Sequence, residues 1–221
     1  MPQVPPPPAP RAAPLSAAEL AAADLPGAES YAEVPRRLLL SAVRAFAANG
    51  FHGTTTRDIA SGANLSPAAL YVHFPSKELA LFAIVSLGHR RARDILTAAA
   101  PTSDPTARLR ELVSRYTQFH ARHHVVARVC QYELGALDEE HYAEVLAVRH
   151  ETNEVFRLAV AAGVDAGRFD PDLDVHRTTR ALISLAIDLA RWYRPDGPDS
   201  PEELGRFNAD LAERLVAPSR R

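Results

Sequence analysis

The chain has 221 residues, 47% hydrophobic and 24% charged, a composition typical of a folded globular protein, and no apolar run approaches the roughly 18 to 20 residues of a membrane span, so no membrane partner is expected. Its net charge is −2, so any contact with nucleic acid must come from a local basic patch. The single cysteine, Cys130, excludes an intramolecular disulfide and a cysteine-cluster metal site, and it suits a reducing cytoplasm.

The N-terminal segment is rich in proline and alanine and opens with MPQVPPPPAPRAAP. It lacks the charged opening and continuous apolar stretch of a secretion signal. Such a composition buries too little apolar surface to offset the entropy of ordering the chain. We therefore predict a disordered tail over residues 1–29, with a polyproline docking peptide as the alternative.

From Pro35 onward the apolar residues recur with the period of an α-helix. The first predicted helix has Leu39, Val43 and Phe46 on one face and ends near residues 49–50. Thr55 opens a short second helix, with Asp58 three residues later in a capping-box arrangement. This second helix is predicted to end at Gly62.

The third predicted helix has the clearest start. Ser66 is a good N-cap, Pro67 fits the first helical position, and Leu65 can pack on Leu70 as a hydrophobic staple. The helix runs to about residue 73, and a fourth helix opens at Lys77. Three short helices with a tight turn before the third predict a helix-turn-helix, the motif that places its second helix in the DNA major groove.

The later predicted helices are longer and open at the N-caps Asp104, Asp138 and Ser200. The segment from Leu182 to Trp192 is apolar on two sides. The last helix has an apolar stripe, consisting of Leu204, Phe207, Leu211 and Leu215. The last two helices, about 173–216, thus have more apolar surface than one neighbour each can cover, which predicts a homodimer through them.

The predicted fold class is all-α, with a helix-turn-helix domain at 30–77 and a larger helical domain at 78–221. Residues 31–90 contain six basic and three acidic side chains, a net charge of +3 within a chain that is negative overall. This local excess favours contact with phosphates. A purely structural helical hairpin remains the alternative.

Residues 53–60 (GTTTRDIA) and 65–79 (LSPAALYVHFPSKEL) closely resemble the DNA-binding signature of the tetracycline-repressor (TetR) family of bacterial transcription regulators. The resemblance implies an all-α homodimer, more often a repressor than an activator, that binds a palindromic double-stranded DNA operator and is released by a small effector. It implies that Thr56, Tyr71 and Lys77 contact phosphates. It also implies that five residues face the base edges: Arg57, Ala68, Ala69, Val72 and His73. Ser66 caps the helix that carries the last four of them.

These residues suit the implied roles to different degrees. Lys77 adds its charge to a helix N-terminus, a good phosphate site. Arg57 can bind a guanine through two hydrogen bonds, although an intrahelical ion pair is the alternative. The ring of Tyr71 could instead pack partly buried. Because the two alanines offer only methyl contacts, operator specificity is expected to depend on Arg57, His73, thymine methyl contacts and DNA shape.

Two segments of the C-terminal domain, 130–134 (CQYEL) and 187–193 (IDLARWY), resemble a TetR subgroup that regulates lipid, sterol or acyl-CoA metabolism. The resemblance implies a small hydrophobic effector in a pocket between helices. The candidate ligand-binding residues are aromatic: Phe119, Tyr132, Phe156 and Trp192. For each of them, plain core packing is the alternative.

Other chemistry is weakly supported. His120, His123 and His124 share a helix face and could suit zinc, but no acidic residue lies nearby in that helix, and a helix end favours histidine through its dipole. We therefore expect no metal. No nucleophile-elbow, phosphate-loop or paired-carboxylate pattern marks an active site, so no enzyme activity and no cofactor are expected. The rival interpretation is a helical carrier or enzyme whose helix-turn-helix is only structural.

Overall fold

The computed structural model describes residues 14–99 and 102–218, and every regular element in this part of the chain is helical, in agreement with the predicted all-α class. Two 3₁₀ turns, Ala28–Ser30 and Leu134–Ala136, accompany eleven α-helices. These are α1 (Ala17–Ala21), α2 (Glu33–Asn49), α3 (Thr56–Gly62), α4 (Pro67–His73), α5 (Lys77–Thr97), α6 (Pro105–Arg122), α7 (His124–Tyr132), α8 (Glu139–Asp165), α9 (Val175–Ile187), α10 (Leu189–Trp192) and α11 (Pro201–Val216).

Side-chain caps fix the helix starts that the sequence predicted. Thr55 and Asp58 form a capping box at α3, and the Ser66 hydroxyl accepts the Ala69 amide at 3.3 Å at the start of α4. Ser200 and Glu203 form a second capping box at α11. Each cap satisfies backbone amides that the helix itself leaves without partners.

The turn between α3 and α4 is fastened from α2. The Ser41 hydroxyl donates to the Ile59 carbonyl at 2.7 Å, and the Arg37 guanidinium donates to the Ala63 carbonyl. Asn64 takes a left-handed conformation with φ of 54°, which lets the chain reverse direction there. These contacts set the angle between α3 and α4 within the helix-turn-helix domain, which is called the head below.

The helix-turn-helix domain and the larger domain share one hydrophobic core. Leu39, Phe46 and Ile59 of the head lie in the same buried cluster as Leu81 of α5 and Val129 of α7. The C-terminal half of α5 enters a second cluster, with α6, α8, α9 and α11. Helix α5 therefore belongs to both cores. The predicted domain boundary at residue 77 coincides with the start of this helix, and the hydrophobic core continues across it.

The predicted tail over residues 1–29 needs correction for its second half. Residues 1–13 lie outside the described part of the chain. In the rest, α1 begins with a capping box between Ser16 and Glu19, and Ala23, Leu25 and Ala28 are buried in the core of the head. This part of the segment is ordered despite its composition, because small alanines and one leucine are enough to cover apolar surface that α2 and α5 already present.

Two further helical details differ from the sequence prediction. The apolar segment ending at Trp192 is not one helix, because α9 ends before Asp188 and α10 begins after it. The Asp188 carboxylate accepts hydrogen bonds from the Arg191 guanidinium at 2.8 and 2.7 Å. Helix α7 was not predicted, although it supplies Val125, Val126 and Val129 to the core.

Within the described residues, no single helix is both long and apolar enough to cross a membrane. Helices α4 and α5 meet that length and composition test only as a pair, with a bend of 56° between them.

Gly62 tests how closely α2 and α3 must pack. A methyl group at this position would overlap the Ser41 hydroxyl, so Gly62→Ala should displace that hydroxyl and break its bond to Ile59. We expect a loss of about 1–3 kcal/mol in the free energy of unfolding, measured by denaturant titration. Gly135→Ala is the matched control, since no atom lies within 4 Å of its added methyl group.

Adding Ser41→Ala to the Gly62→Ala variant removes the overlapping hydroxyl. The double variant should therefore lose less stability than the two single losses combined. Strictly additive losses would contradict the predicted overlap.

Candidate functional site

Helix α4 presents one face to solvent and the other to the core of the head. Tyr71 and Val72 are 52% and 78% exposed, whereas Leu70 and Phe74 are buried. Ala68 and His73 are also exposed, and Ala69 is half-buried. The face that the sequence predicted to meet base edges is therefore accessible along the length of the helix.

The tyrosine on this face is paired with a threonine of the preceding helix. The Thr56 and Tyr71 hydroxyl oxygens lie 3.2 Å apart, and either can donate to the other. With 52% of its surface exposed, Tyr71 is compatible with the alternative of a partly buried ring while its hydroxyl stays accessible. Two adjacent exposed hydroxyls from α3 and α4 form a suitable contact for a phosphate oxygen.

Arg57 extends from α3 without an intrahelical partner. Its side chain is exposed and forms no hydrogen bond or ion pair with any described residue. The neighbouring Asp58 is occupied instead by the Thr55 hydroxyl, at 2.6 Å, and by the Thr55 amide, at 2.8 Å. These hydrogen bonds lower the pKa of Asp58 from its usual value. Arg57 is thus free to contact a base edge.

Lys77 has a structural role that the sequence did not indicate. Its ammonium donates to the carbonyls of Phe51 and Thr54, at 2.7 and 2.8 Å, and lies 4.2 Å from the centre of the Phe51 ring. Two of its three protons are therefore used to hold the loop between α2 and α3. Neither carbonyl uses the third proton.

The positive charge of the head is largely used inside the molecule. Arg37 contacts Ala63, the Arg44 guanidinium donates to the Ala21 carbonyl at 3.4 Å, and Arg90 lies 4.0 Å from the Glu144 carboxylate. Arg36 is the exception besides Arg57: it is exposed and unpaired among the described residues. Arg36 belongs to the predicted basic patch but was not predicted as a contact, because only its neighbours in the structure reveal that it is free.

The loop between α2 and α3 is also tied to the larger domain. The Phe51 amide donates to the Glu133 carboxylate at 2.9 Å, and Glu133 directly follows α7. The larger domain, α5 to α11, is called the body below. Together with Lys77 at the start of α5, this bond fixes the loop from two helices of the body. A displacement of α7 or α5 would therefore reach the start of α3.

The body contains two neighbouring cavities. The outer one is a cleft of about 730 Å³ between residues 26–29, α5 and α6. The inner one, of about 70 Å³, lies among α5, α6, α7, α8 and α9. Phe119 and His123 line both cavities, so their rings form the wall between them.

The four aromatic ligand candidates fall in different places. Phe119 lines both cavities, and Tyr132 lines a separate surface cavity of about 220 Å³ beside Asp188 and Arg191. Two expectations need correction. Phe156 is fully buried against Tyr116 on the core face of α8, and Trp192 is 46% exposed after the helix break at Asp188. Neither Phe156 nor Trp192 lines the inner cavity or the outer cleft.

The three clustered histidines have three different partners. The His120 ring contacts the Tyr116 carbonyl at 2.8 Å, and burial lowers the pKa of His120 to about 4. His123 lies 2.9 Å from Asp24, and His124 lies 3.4 Å from Glu19. Both carboxylates come from the segment that the sequence assigned to a tail. His123 and His124 therefore bind the N-terminal segment to α6 and α7, whereas His120 contacts its own helix.

A different trio, which the sequence analysis missed, joins α5 to the start of α8. His141 lies 2.9 Å from Glu78 and 3.1 Å from Asp138, and the hydrogen bond with Glu78 raises the pKa of His141. Among the described residues this is the group whose ligand atoms lie close enough together for a metal ion. The ion pairs alone account for its position between two helices.

Comparison with known proteins supports the division of the chain seen in the geometry. The sequence model of the family described as bacterial regulatory proteins, tetR family, matches residues 38–84. The model described as tetracyclin repressor-like, C-terminal domain, matches residues 102–216. The first match contains the helix-turn-helix, and the second contains α6 to α11.

Several relatives are similar over most of this length. The HTH-type transcriptional repressor KstR2 of Mycobacterium tuberculosis is 32% identical over 174 residues, 76% of this chain and 86% of the relative. Its solved structure, described as a ketosteroid transcriptional regulator, has a TM-score of 0.77 at 26% identity and covers 89% of this chain and all of that one. A tetR-family regulatory protein from Rhodococcus RHA1 has a TM-score of 0.80 at 36% identity, over 86% of this chain and all of its own.

These relatives are transcriptional regulators rather than enzymes, which argues against the rival interpretation of an enzyme with a structural helix-turn-helix. Family models match both halves of the chain, and a named repressor is 32% identical over 76% of this chain. The chain therefore belongs to the TetR family of bacterial transcription regulators.

Proposed function

We propose that this chain is a repressor that binds a palindromic double-stranded DNA operator as a homodimer in the bacterial cytoplasm and is released by a small hydrophobic effector. The observation that carries the proposal is the exposed face of α4, which is held at a fixed angle by Ser41 and Arg37 although nothing in the described chain covers it. A helix that was only structural would have no need of this accessible, rigidly presented face.

In the proposed complex, α4 lies in the major groove. Arg57 and His73 reach base edges, and the alanine and valine methyl groups contact thymine methyls. Phosphate contacts flank this surface and fix its register. They come from the Thr56–Tyr71 pair, from the remaining proton of Lys77, and from Arg36.

The proposed dimer forms through the exposed face of α11 with α9 beside it. The predicted apolar stripe divides in two: Leu204 is buried, while Phe207, Leu211 and Leu215 are 64%, 38% and 45% exposed. These three residues lie four positions apart and form a line of about 12 Å along the helix. A contiguous apolar line of this kind on a soluble protein favours a self-complementary interface.

The proposed effector site is the pair of cavities in the body. A cleft of about 730 Å³ falls within the usual range for ligand pockets, about 300–1,000 Å³. The relative described as a ketosteroid regulator supports a hydrophobic effector. Pro26, Gly27 and Glu29 line this cleft, and their neighbours Leu25 and Ala28 are buried in the head, so a filled cleft can shift the head.

Release is then a shift of population between two arrangements of the dimer. The DNA-binding arrangement matches half-sites about 34–36 Å apart, or a multiple of that spacing. An effector that favours the other arrangement must bind it better by about 1.4 kcal/mol for each tenfold loss of operator affinity.

The decisive experiment is selection of DNA from a random pool by the purified protein. A palindromic sequence should be enriched, and its binding should weaken steeply with salt because phosphate contacts release counterions. Failure to enrich any sequence, together with no salt-sensitive binding to the DNA upstream of its own gene, would favour a carrier with a structural helix-turn-helix.

Arg57→Ala should relax base preference at one position in each half-site. The loss at that position should be about 1–3 kcal/mol of discrimination, since a single bidentate contact disappears. The measurement is a repeated selection with the variant. Arg36→Ala is the control, expected to weaken binding to all sequences alike. An unchanged sequence preference for Arg57→Ala would remove Arg57 from the base contacts.

Lys77→Ala should have two effects, because Lys77 both holds a loop and faces a phosphate. The slope of log affinity against log salt should fall by about 0.9 for the lost phosphate contact, and the thermal unfolding midpoint should drop as the carbonyls of Phe51 and Thr54 lose their donor. Arg90→Ala, which removes one charge from the same helix, is the control. An unchanged slope would refute the phosphate contact.

The double variant Phe207→Glu, Leu211→Glu should be a folded monomer, because charges on both sides of the interface would face each other. Sedimentation should show the mass of one chain for the variant and of two chains for the original protein. Operator affinity should fall on the order of 100-fold or more, since the half-sites no longer bind together. Tyr142→Glu, at an exposed site on α8, should remain dimeric. A dimeric double variant would place the interface elsewhere.

A further inference from the structure

The inner cavity contains a cation without a counter-charge. Arg149 of α8 lines this cavity, and its side chain forms no hydrogen bond or ion pair with any described residue. The lining includes three histidines but no aspartate or glutamate. The charge of Arg149 acts on the buried His89, Tyr116 and Cys130, which places it toward the interior of the bundle.

The guanidinium of Arg149 is half-buried and has no hydrogen-bond or ion-pair partner among the described residues. A charge that leaves water loses its hydration, and only an opposite charge or several hydrogen bonds compensate for the loss. The other arginines at the cavities show the contrast: Arg115 lies 2.8 Å from Glu111, and Arg122 pairs with Glu202. Arg149 alone among these faces a cavity without an acidic partner, which leaves it available to an anion from outside the described chain.

A second polar group in the same cavity lacks a partner. The Nε2 atom of His89, on α5, is buried and forms no hydrogen bond. Burial lowers the pKa of His89 to about 3, so the ring is neutral at pH 7 and can carry a proton on Nε2. His89 on α5 and Arg149 on α8, each with a donor that has no partner among the described residues, therefore line one space.

The dimensions and lining of the cavity restrict that anion. A volume of about 70 Å³ is far below the range of pockets for whole ligands, so only the end of a ligand fits. The remaining walls include the apolar side chains of Ala92, Val126 and Ile183. Beyond Phe119 and His123, the outer cleft offers about 730 Å³ for the rest of the molecule.

We propose that the effector is an apolar monocarboxylic acid whose carboxylate enters the inner cavity and is bound by Arg149, with His89 as the second donor. Guanidinium and carboxylate match in charge and in planar geometry. The apolar body of the acid extends past Phe119 into the outer cleft. This inference rests on the proposed function, because it takes the cavities to be the effector site.

The test is thermal unfolding of the full chain with defined probes. The probes are octanoate, decanoate and the steroid acid lithocholate, each paired with its primary amide, together with octanoyl-CoA. At least one carboxylate should raise the unfolding midpoint with concentration, and its amide should raise it far less. Arg149→Gln should weaken the response to that carboxylate at least tenfold, and His89→Phe should weaken it by a smaller factor.

Two controls separate recognition from folding. Arg157→Gln changes another arginine of α8, one that is paired with Glu154, and should leave the carboxylate response unchanged. Without a ligand, Arg149→Gln should unfold at the same temperature as the original protein or higher, because an unpaired charge has been removed. A lower midpoint would show that Arg149 has a structural partner and would overturn the proposal.

The operator experiment distinguishes the two possible failures. If a carboxylate binds through Arg149 but the protein enriches no DNA, the anion site stands and the proposed function falls. If operator DNA is released by an amide or by octanoyl-CoA equally well in the original protein and in Arg149→Gln, the function stands and the anion site falls. If none of the carboxylates stabilises the chain, the proposal is overturned.

Discussion

The arrangement of the DNA-binding head depends on how one loop is held. The loop between α2 and α3 is anchored by the Lys77 ammonium, which binds the carbonyls of Phe51 and Thr54, and by the Glu133 carboxylate, which accepts the Phe51 amide. Lys77 opens α5 and Glu133 follows α7, so two helices of the body define where α3 begins. Helix α4 follows through the contacts of Ser41 and Arg37. The reading helix is thus oriented by the body as well as by the head.

Because the loop is anchored in this way, a displacement in the body is transmitted to the head through closely packed helices. Helix α5 contributes Leu81 to the core of the head and Leu96 to the core of the body, and the inner cavity lies between them at Gly88 and His89. Gly88 packs so closely on α7 that an added methyl group would overlap the Cys130 sulfur. A ligand between α5 and α8 therefore acts beside a helix that is fixed to the head at one end. Close-packed interiors transmit such a displacement rather than absorb it.

The sequence predicted those features that depend on short-range chemistry. The caps at Thr55, Ser66 and Ser200, and the helix-turn-helix that they define, follow from side chains within three residues of one another. The missed features depend on distant partners. Leu25 is buried only because the head and α5 present a surface to it, Lys77 finds its carbonyls about 25 residues upstream, and Phe156 is core rather than pocket because of where α6 lies. Periodicity identifies an apolar face but not the element that covers it.

The arginines of this chain show that whether a charged side chain has a partner is more informative than its presence in the sequence. Arg57 is unpaired at the surface, where water solvates it at little cost, so its freedom is compatible with many roles and becomes informative only beside an exposed recognition helix. Arg149 is unpaired, half-buried and beside a cavity that has no acidic side chain in its lining, so less water is available to solvate its charge than at the surface. Folding alone gives no reason to keep a guanidinium there when a glutamine or methionine would fill the space. A binding site does give one, because an anion that enters the cavity gains a charged partner there, and its affinity for that arrangement is available to shift the equilibrium between the two states of the regulator.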